Sequence, residues 1–142
     1  FNSLRANKGI KTVLIGGNFN EDENGFCGLS AIETVKRYNV SKYFMFPSAV
    51  SLKYGITDYG EDICYIQKAF FDISDEVYVL ADSDKFEKRA FEKVVETDKA
   101  YTYVTDSSLA GVIKQSYIDE GMKIVSSADD MKKTLVGDTV NE

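Results

Sequence analysis

Val77-Tyr78-Val79-Leu80-Ala81-Asp82-Ser83-Asp84-Lys85-Phe86 is the stretch on which the fold turns. Its first five residues are apolar without interruption, as in a strand buried on both faces rather than one with a wet side. Small, hydrogen-bonding residues follow at once, with a lysine among them. Upstream, Glu61-Asp62 place acids in the first turn of a helix, where the dipole favours them, and Ile63, Ile66, Phe70 and Ile73 recur on one side of it. Before that, residues 55–60 read as a turn region, and residues 42–46 read as a short strand stopped by Pro47. Leu29, Ile32, Val35 and Tyr38 predict a helix over 28–38, preceded by an acidic, Asn-rich loop over 19–25. Residues 11–15 (KTVLI) predict a strand that Gly16-Gly17 ends. Downstream, a short helical turn is expected within 84–90 and a strand over 100–104. Thr105-Asp106-Ser107-Ser108 would cap a helix whose apolar face is Leu109, Val112, Ile113 and Tyr117, with Gly121 at its end. A last strand covers 123–125, and a frayed tail is expected from Val136. Strands alternating with helices imply one α/β domain over 1–135, with a largely parallel sheet covered on both faces, followed by the 136–142 tail.

Composition narrows the chemistry. At 142 residues, 44% hydrophobic and 28% charged, the chain has the makings of one packed core, which excludes disorder. Lys+Arg 17 against Asp+Glu 23 gives a net charge of −6, which argues against a nucleic-acid surface on this piece. There is no His, so Ser-His-Asp and Cys-His catalysis and His-containing zinc sites are excluded. Cys27 and Cys64 are too far apart for a CxxC motif; each sits in a helix-like apolar pattern and reads as a buried thiol, which favours a cytoplasmic protein. No apolar run approaches the ~20 residues that span a bilayer, and the opening Phe1-Asn2-Ser3-Leu4-Arg5 is unlike a signal peptide. An opening without Met suggests a processed or shortened piece. Walker and GxGxxG motifs are absent, and Glu21-Asp22-Glu23 lacks the spacing of a calcium loop.

Parallel strands share a carboxyl edge, and ligands of open α/β sheets bind there. The residues after each strand are Gly16-Gly17, Ser48-Ala49, Asp82-Ser83-Asp84-Lys85 and Thr105-Asp106-Ser107-Ser108. Glycine lets backbone N–H groups approach an anion, hydroxyls add donors, Lys85 adds a cation, and Asp82 and Asp106 accept hydrogen bonds from sugar hydroxyls. Such a set suits a small phosphorylated polyol. It also suits plain architecture, since Asp82 and Asp106 would serve equally as caps of the helices that follow. Lys68 reads either as a solvated helix residue or as a second cation.

The order VLIGG (13–17), Gly28 opening a helix, PSAVSLKYGIT (47–57), a helix carrying Lys68, LADSDKF (80–86) and VTDSSL (104–109) resembles the effector-sensing domain of DeoR-type transcriptional regulators. Asp84 stands where that family commonly has a second Ser, Ser48-Ala49 replaces a usual Ser-Gly, and Phe1-Asn2-Ser3-Leu4 is similar to the family's Thr-Asn-Ser-Leu. The resemblance covers about residues 1–125. It implies a Rossmann-like three-layer α/β/α fold, similar to ribose-5-phosphate isomerase, glucosamine-6-phosphate deaminase and CoA-transferase. It also implies a phosphorylated sugar effector and no cofactor. Under it, Lys85 faces the phosphate, Asp82 and Asp106 accept hydroxyls, Gly16, Gly17 and Ser3 supply donors, and Lys68 is a second cation. The winged helix-turn-helix of the family, and the strand and helix it places before Thr-Asn-Ser, are expected to lie outside this chain, so DNA is reached only through that missing module. Self-association into a homo-oligomer is expected, and no membrane contact. The competing readings are a sugar-phosphate isomerase or deaminase of the same fold, and an interaction module whose strand ends are only caps.

Overall fold

The computed structural model describes residues 1–126 and residue 130. A single helical turn, α1 (Asn2–Arg5), leads into an irregular stretch. A hairpin of β1 (Asn18–Asn20) and β2 (Gly25–Cys27) precedes helix α2 (Leu29–Val35). Then come β3 (Val40–Met45), β4 (Ala49–Ser51), β5 (Gly55–Asp58) and helix α3 (Glu61–Asp72). Strand β6 (Ser74–Leu80) is followed by a 3₁₀ turn at Ser83–Lys85, then β7 (Glu92–Val95), β8 (Thr102–Val104), helix α4 (Gly111–Asp119) and β9 (Lys123–Val125).

The main sheet has the order β3-β6-β8-β9, parallel throughout. The α/β alternation with a parallel sheet, expected from sequence, is what the chain adopts. Apolar residues at alternate positions of the strands bury one face: Met45 from β3, Val77 and Val79 from β6 and Tyr103 from β8 join Cys64 of α3 and Tyr117 of α4 in one core. Tyr43 extends this face, stacking on Phe70 at 5.2 Å and meeting Phe71 edge-on at 5.5 Å. On the other face Phe44 stacks on Tyr78 and Lys42 pairs with Glu76, and Phe44 keeps 53% of its surface in solvent. Both thiols are free and buried, and burial pushes Cys64 up to about 11.

Several local expectations are corrected. Residues 11–15 form no strand: β-branched residues need a neighbouring edge to pair with, and here Val13 and Ile15 lie against Val35, Tyr38, Val40, Phe70 and Ile73 around an apolar hollow of ≈ 310 Å³. The 19–25 loop is the β1–β2 hairpin, since Phe19 and Phe26 face each other in register and meet edge-to-face at 5.6 Å. Cys27 accordingly ends a strand and does not sit on a helix. The helix expected over 28–38 is only seven residues long, with Leu29 turned outward and Tyr38 beyond its end.

The 55–60 turn region is instead β5, the centre of an antiparallel sheet β4-β5-β7. Gly55 makes this possible: its φ is +77°, and a side chain there would strike the Val95 carbonyl of β7. Asp106 does not cap α4, which starts five residues later after Ala110 without a side-chain cap. Val112 is 79% exposed, so the apolar face of α4 is narrower than predicted. The tail from Val136 lies outside the described residues.

The asymmetry of the sheet is testable. Met45→Ala should cost about 2–5 kcal/mol, the usual range for emptying a filled core site, whereas Phe44→Ala on the neighbouring, half-open position should cost under ~1.5 kcal/mol, the worth of an aromatic pair. Urea midpoints at unchanged slope would measure both, and equal losses would refute the one-sided core.

Candidate ligand cleft at the carboxyl edge of the parallel sheet

Leu80 of β6 pairs with Val104 of β8, so both strands release the chain at the same edge. Strand β3 ends there too, with Met45 beside Val79. Between the three ends lies an open cleft of ≈ 320 Å³ lined by Phe46, Leu80, Ala81, Asp82, Lys85, Val104, Thr105 and Asp106. Larger hollows exist, ≈ 530 Å³ beside Asp98, Lys99 and Glu120 and ≈ 460 Å³ beside Tyr54, Arg89 and Phe91, but neither is bordered by the strand ends.

Asp106 organises the cleft. Its Oδ2 accepts the Ser83 N–H at 2.7 Å and its Oδ1 accepts the Ser108 N–H at 2.7 Å. One carboxylate thereby ties the turn after β6 to the loop after β8. These N–H donors, Ser83 first, lower its pKa from 3.8 to about 2. The side chains of Ser83 and Ser108 add to the same effect. Asp82 is exposed and makes no capping bond to the turn it precedes. Neither residue caps the helix that follows it, and Asp106 instead holds the first N–H of the 83–85 turn. Lys85 takes part in none of the ion pairs among the described residues. Its ammonium shares the cleft with the carboxylates of Asp82 and Asp106.

Asp82, Lys85 and Asp106 are thus brought together, and the other four sequence candidates are not. Ser3 is exposed on α1. Gly16 has open space around it, while Gly17 packs where a side chain would come 2.5 Å from the Cys27 carbonyl oxygen and 3.0 Å from Ala31 Cβ. Lys68 stands on α3 with its ammonium 5.7 Å from the Tyr65 ring centroid. None of the four lines the cleft.

Two further lining residues are not among the candidate site residues, although Thr105 reads from sequence as one of the small residues that follow a strand. Thr105 carries a buried Oγ1 with no partner among the described residues, and Phe46 presents a ring that is 68% exposed. Their positions directly after β8 and β3 were the available signal. Ser48, by contrast, is committed internally: its hydroxyl donates at 2.6 Å to the buried Asp58, which also accepts from the Tyr59 N–H and Gln67 Nε2, each at 2.9 Å.

In open parallel α/β sheets, a cleft at the carboxyl edge is where ligands bind. The sequence pattern described as the DeoR C terminal sensor domain matches residues 1–107, and the chain belongs to that family. It is 30% identical over 108 residues to the HTH-type transcriptional regulator IolR of Bacillus subtilis, covering 76% of this chain and 43% of that protein. It is 19% identical over 124 residues to a putative aga operon transcriptional repressor of Escherichia coli O157:H7, covering 87% and 46%. To the L-fucose operon activator of Haemophilus influenzae it is 24% identical over 108 residues, covering 76% and 43%. The chain therefore spans less than half the length of these relatives. Among the described residues no helix is long and apolar enough to cross a membrane.

The Asp106 geometry predicts a pH dependence. A carboxyl whose pKa falls from 3.8 to about 2 on folding contributes stability that is fully present above its unfolded value and disappears as pH drops from about 4 through 2. Asp106→Asn should lower the urea midpoint at pH 6, and the gap to the unmodified chain should close toward pH 2. A gap constant from pH 6 to pH 2 would mean that the carboxylate charge contributes nothing.

Proposed function

We propose that this domain senses a phosphorylated sugar or a related intermediate and relays its binding to a DNA-reading helix-turn-helix region outside this chain. The observation that carries the reading is Lys85, a cation in no ion pair among the described residues, standing in one cleft with Asp82 and Asp106. A phosphate finds its counter-charge at the ammonium. The two carboxylates repel it, so they leave only the polyol end of a ligand to face them, where they accept from hydroxyls. Polarity within the cleft therefore orients the ligand end to end. Thr105 Oγ1 would gain the partner it lacks, and the Phe46 ring offers an apolar face to the C–H side of a sugar. The sugar in the name of the L-fucose operon activator supports the same ligand class.

A chain at −6 is a poor phosphate-backbone binder, which fits a division of labour in which the DNA contacts are made elsewhere. The whole regulator is expected to self-associate, because paired half-sites are read by symmetric dimers.

A thermal-melt panel of sugar phosphates tests the proposal. A ligand at ~100 times its Kd stabilises by about 2.7 kcal/mol, which moves the Tm by several degrees for a domain of this size. Lys85→Ala should melt near the unmodified chain without ligand and lose most of the shift with it. An equal shift in both proteins would remove Lys85 from the site, no shift with any sugar phosphate would overturn the reading, and conversion of ribose 5-phosphate to its ketose would replace it with an isomerase.

A further inference from the structure

Glu87 lies two residues beyond Lys85, and it is one of two non-glycine residues among those described whose φ is positive, at +54°. An L side chain rarely takes this conformation, and glycine is the residue that takes it freely. A glutamate kept there points to work that its carboxylate does and glycine could not. That carboxylate accepts three hydrogen bonds from two separate elements: Ser51 Oγ at 3.1 Å and the Leu52 N–H at 3.2 Å, both at the end of β4, and Tyr117 Oη of α4 at 2.9 Å. Its own N–H donates to the Val50 carbonyl at 2.7 Å. The preceding Phe86 is buried and meets the Tyr117 ring at 5.4 Å.

The turn carrying Lys85 is therefore pinned at both ends. In front, Asp106 holds the Ser83 N–H; behind, Glu87 is tied to β4 and α4. We propose that Glu87 is a positioning residue for Lys85, a clamp that fixes the 82–87 turn so that the ammonium is set over the cleft before any ligand arrives. A ligand then binds without having to order the turn, which is the gain of pre-organisation. The effect on affinity rests on the phosphate reading of the cleft; the clamp itself does not.

Amide hydrogen exchange on the ligand-free chain decides the clamp. Glu87→Gly relieves the backbone strain but removes all three accepted bonds, and should speed exchange at Ser83, Lys85 and Phe86 by about tenfold while Val77 and Val79 of β6 stay protected. Glu87→Gln keeps Oε1 for Leu52 and Tyr117 and should restore most of the protection. Tyr117→Phe removes one clamp bond at constant shape, should give an intermediate effect, and serves where the glycine variant does not fold. Unchanged exchange in the 83–86 turn, or faster exchange spread evenly over β6 and β8, would overturn the proposal. Calorimetric titration with ribose 5-phosphate, below the melting range of both proteins, is the second arm: the Kd for Glu87→Gly should rise about tenfold. Equal affinity in both proteins would also overturn it, whereas no binding to the unmodified chain would count against the phosphate reading alone, with the exchange result still deciding the clamp.

Discussion

Strand β6 runs parallel to both of its neighbours, with Val79 in register between Met45 and Tyr103. Because parallel strands all release the chain at the same edge, this register places Asp82, Asp106 and Phe46 around one opening although they are distant in sequence. An antiparallel neighbour, or a register shifted by several residues, would carry Asp106 away from Ser83 and leave the cleft without its tie. Burial maintains the register. Val77, Val79 and Tyr103 share one packed face, and a one-residue slip would turn each of them out of it.

The cleft combines charges that oppose each other, and its structure is the way they are reconciled. Two carboxylates beside a candidate phosphate site are a liability in a chain of net charge −6. Asp106 is satisfied by backbone N–H groups, which lowers its pKa and directs its charge into the loop structure. Lys85 takes part in no ion pair among the described residues. The fold therefore holds Asp106 with neutral donors, while Asp82 and Lys85 remain at the open cleft.

The small β4-β5-β7 sheet has a part in this that its distance from the strand ends conceals. It supplies Val50, Ser51 and Leu52 to the segment after Lys85, and its buried Asp58 gathers Ser48, Tyr59 and Gln67 where β5 hands over to α3. The turn bearing Lys85 is thus supported by a second sheet and by α4 together. Membership of the DeoR sensor family gives this architecture its context: a sensor domain that aligns with less than half the length of the regulators it resembles.

Much of the main sheet was legible in the sequence because its signals are local. The uninterrupted VYVLA run, the period of Ile63, Ile66 and Phe70, and the small polar residues after the strands each follow from how nearby side chains partition between core and water. Asp82, Lys85 and Asp106 could be named for the same reason, since each directly follows a strand or lies in the turn after one. The fate of KTVLI could not be read, because a strand is defined by the edge it pairs with and four β-branched or apolar residues after a lysine carry no information about whether that edge is present. Nor could the β4-β5-β7 sheet, whose strands of three and four residues are held by Gly55 approaching β7 across forty positions of sequence. The role of Glu87 was equally hidden. Its neighbours in sequence say only that it is a surface acid, and its function emerges when the folding of distant segments brings Ser51, Leu52 and Tyr117 around one carboxylate. Pattern determined which residues are buried and where strands end; only the long-range pairing of chain segments decided which polar groups meet.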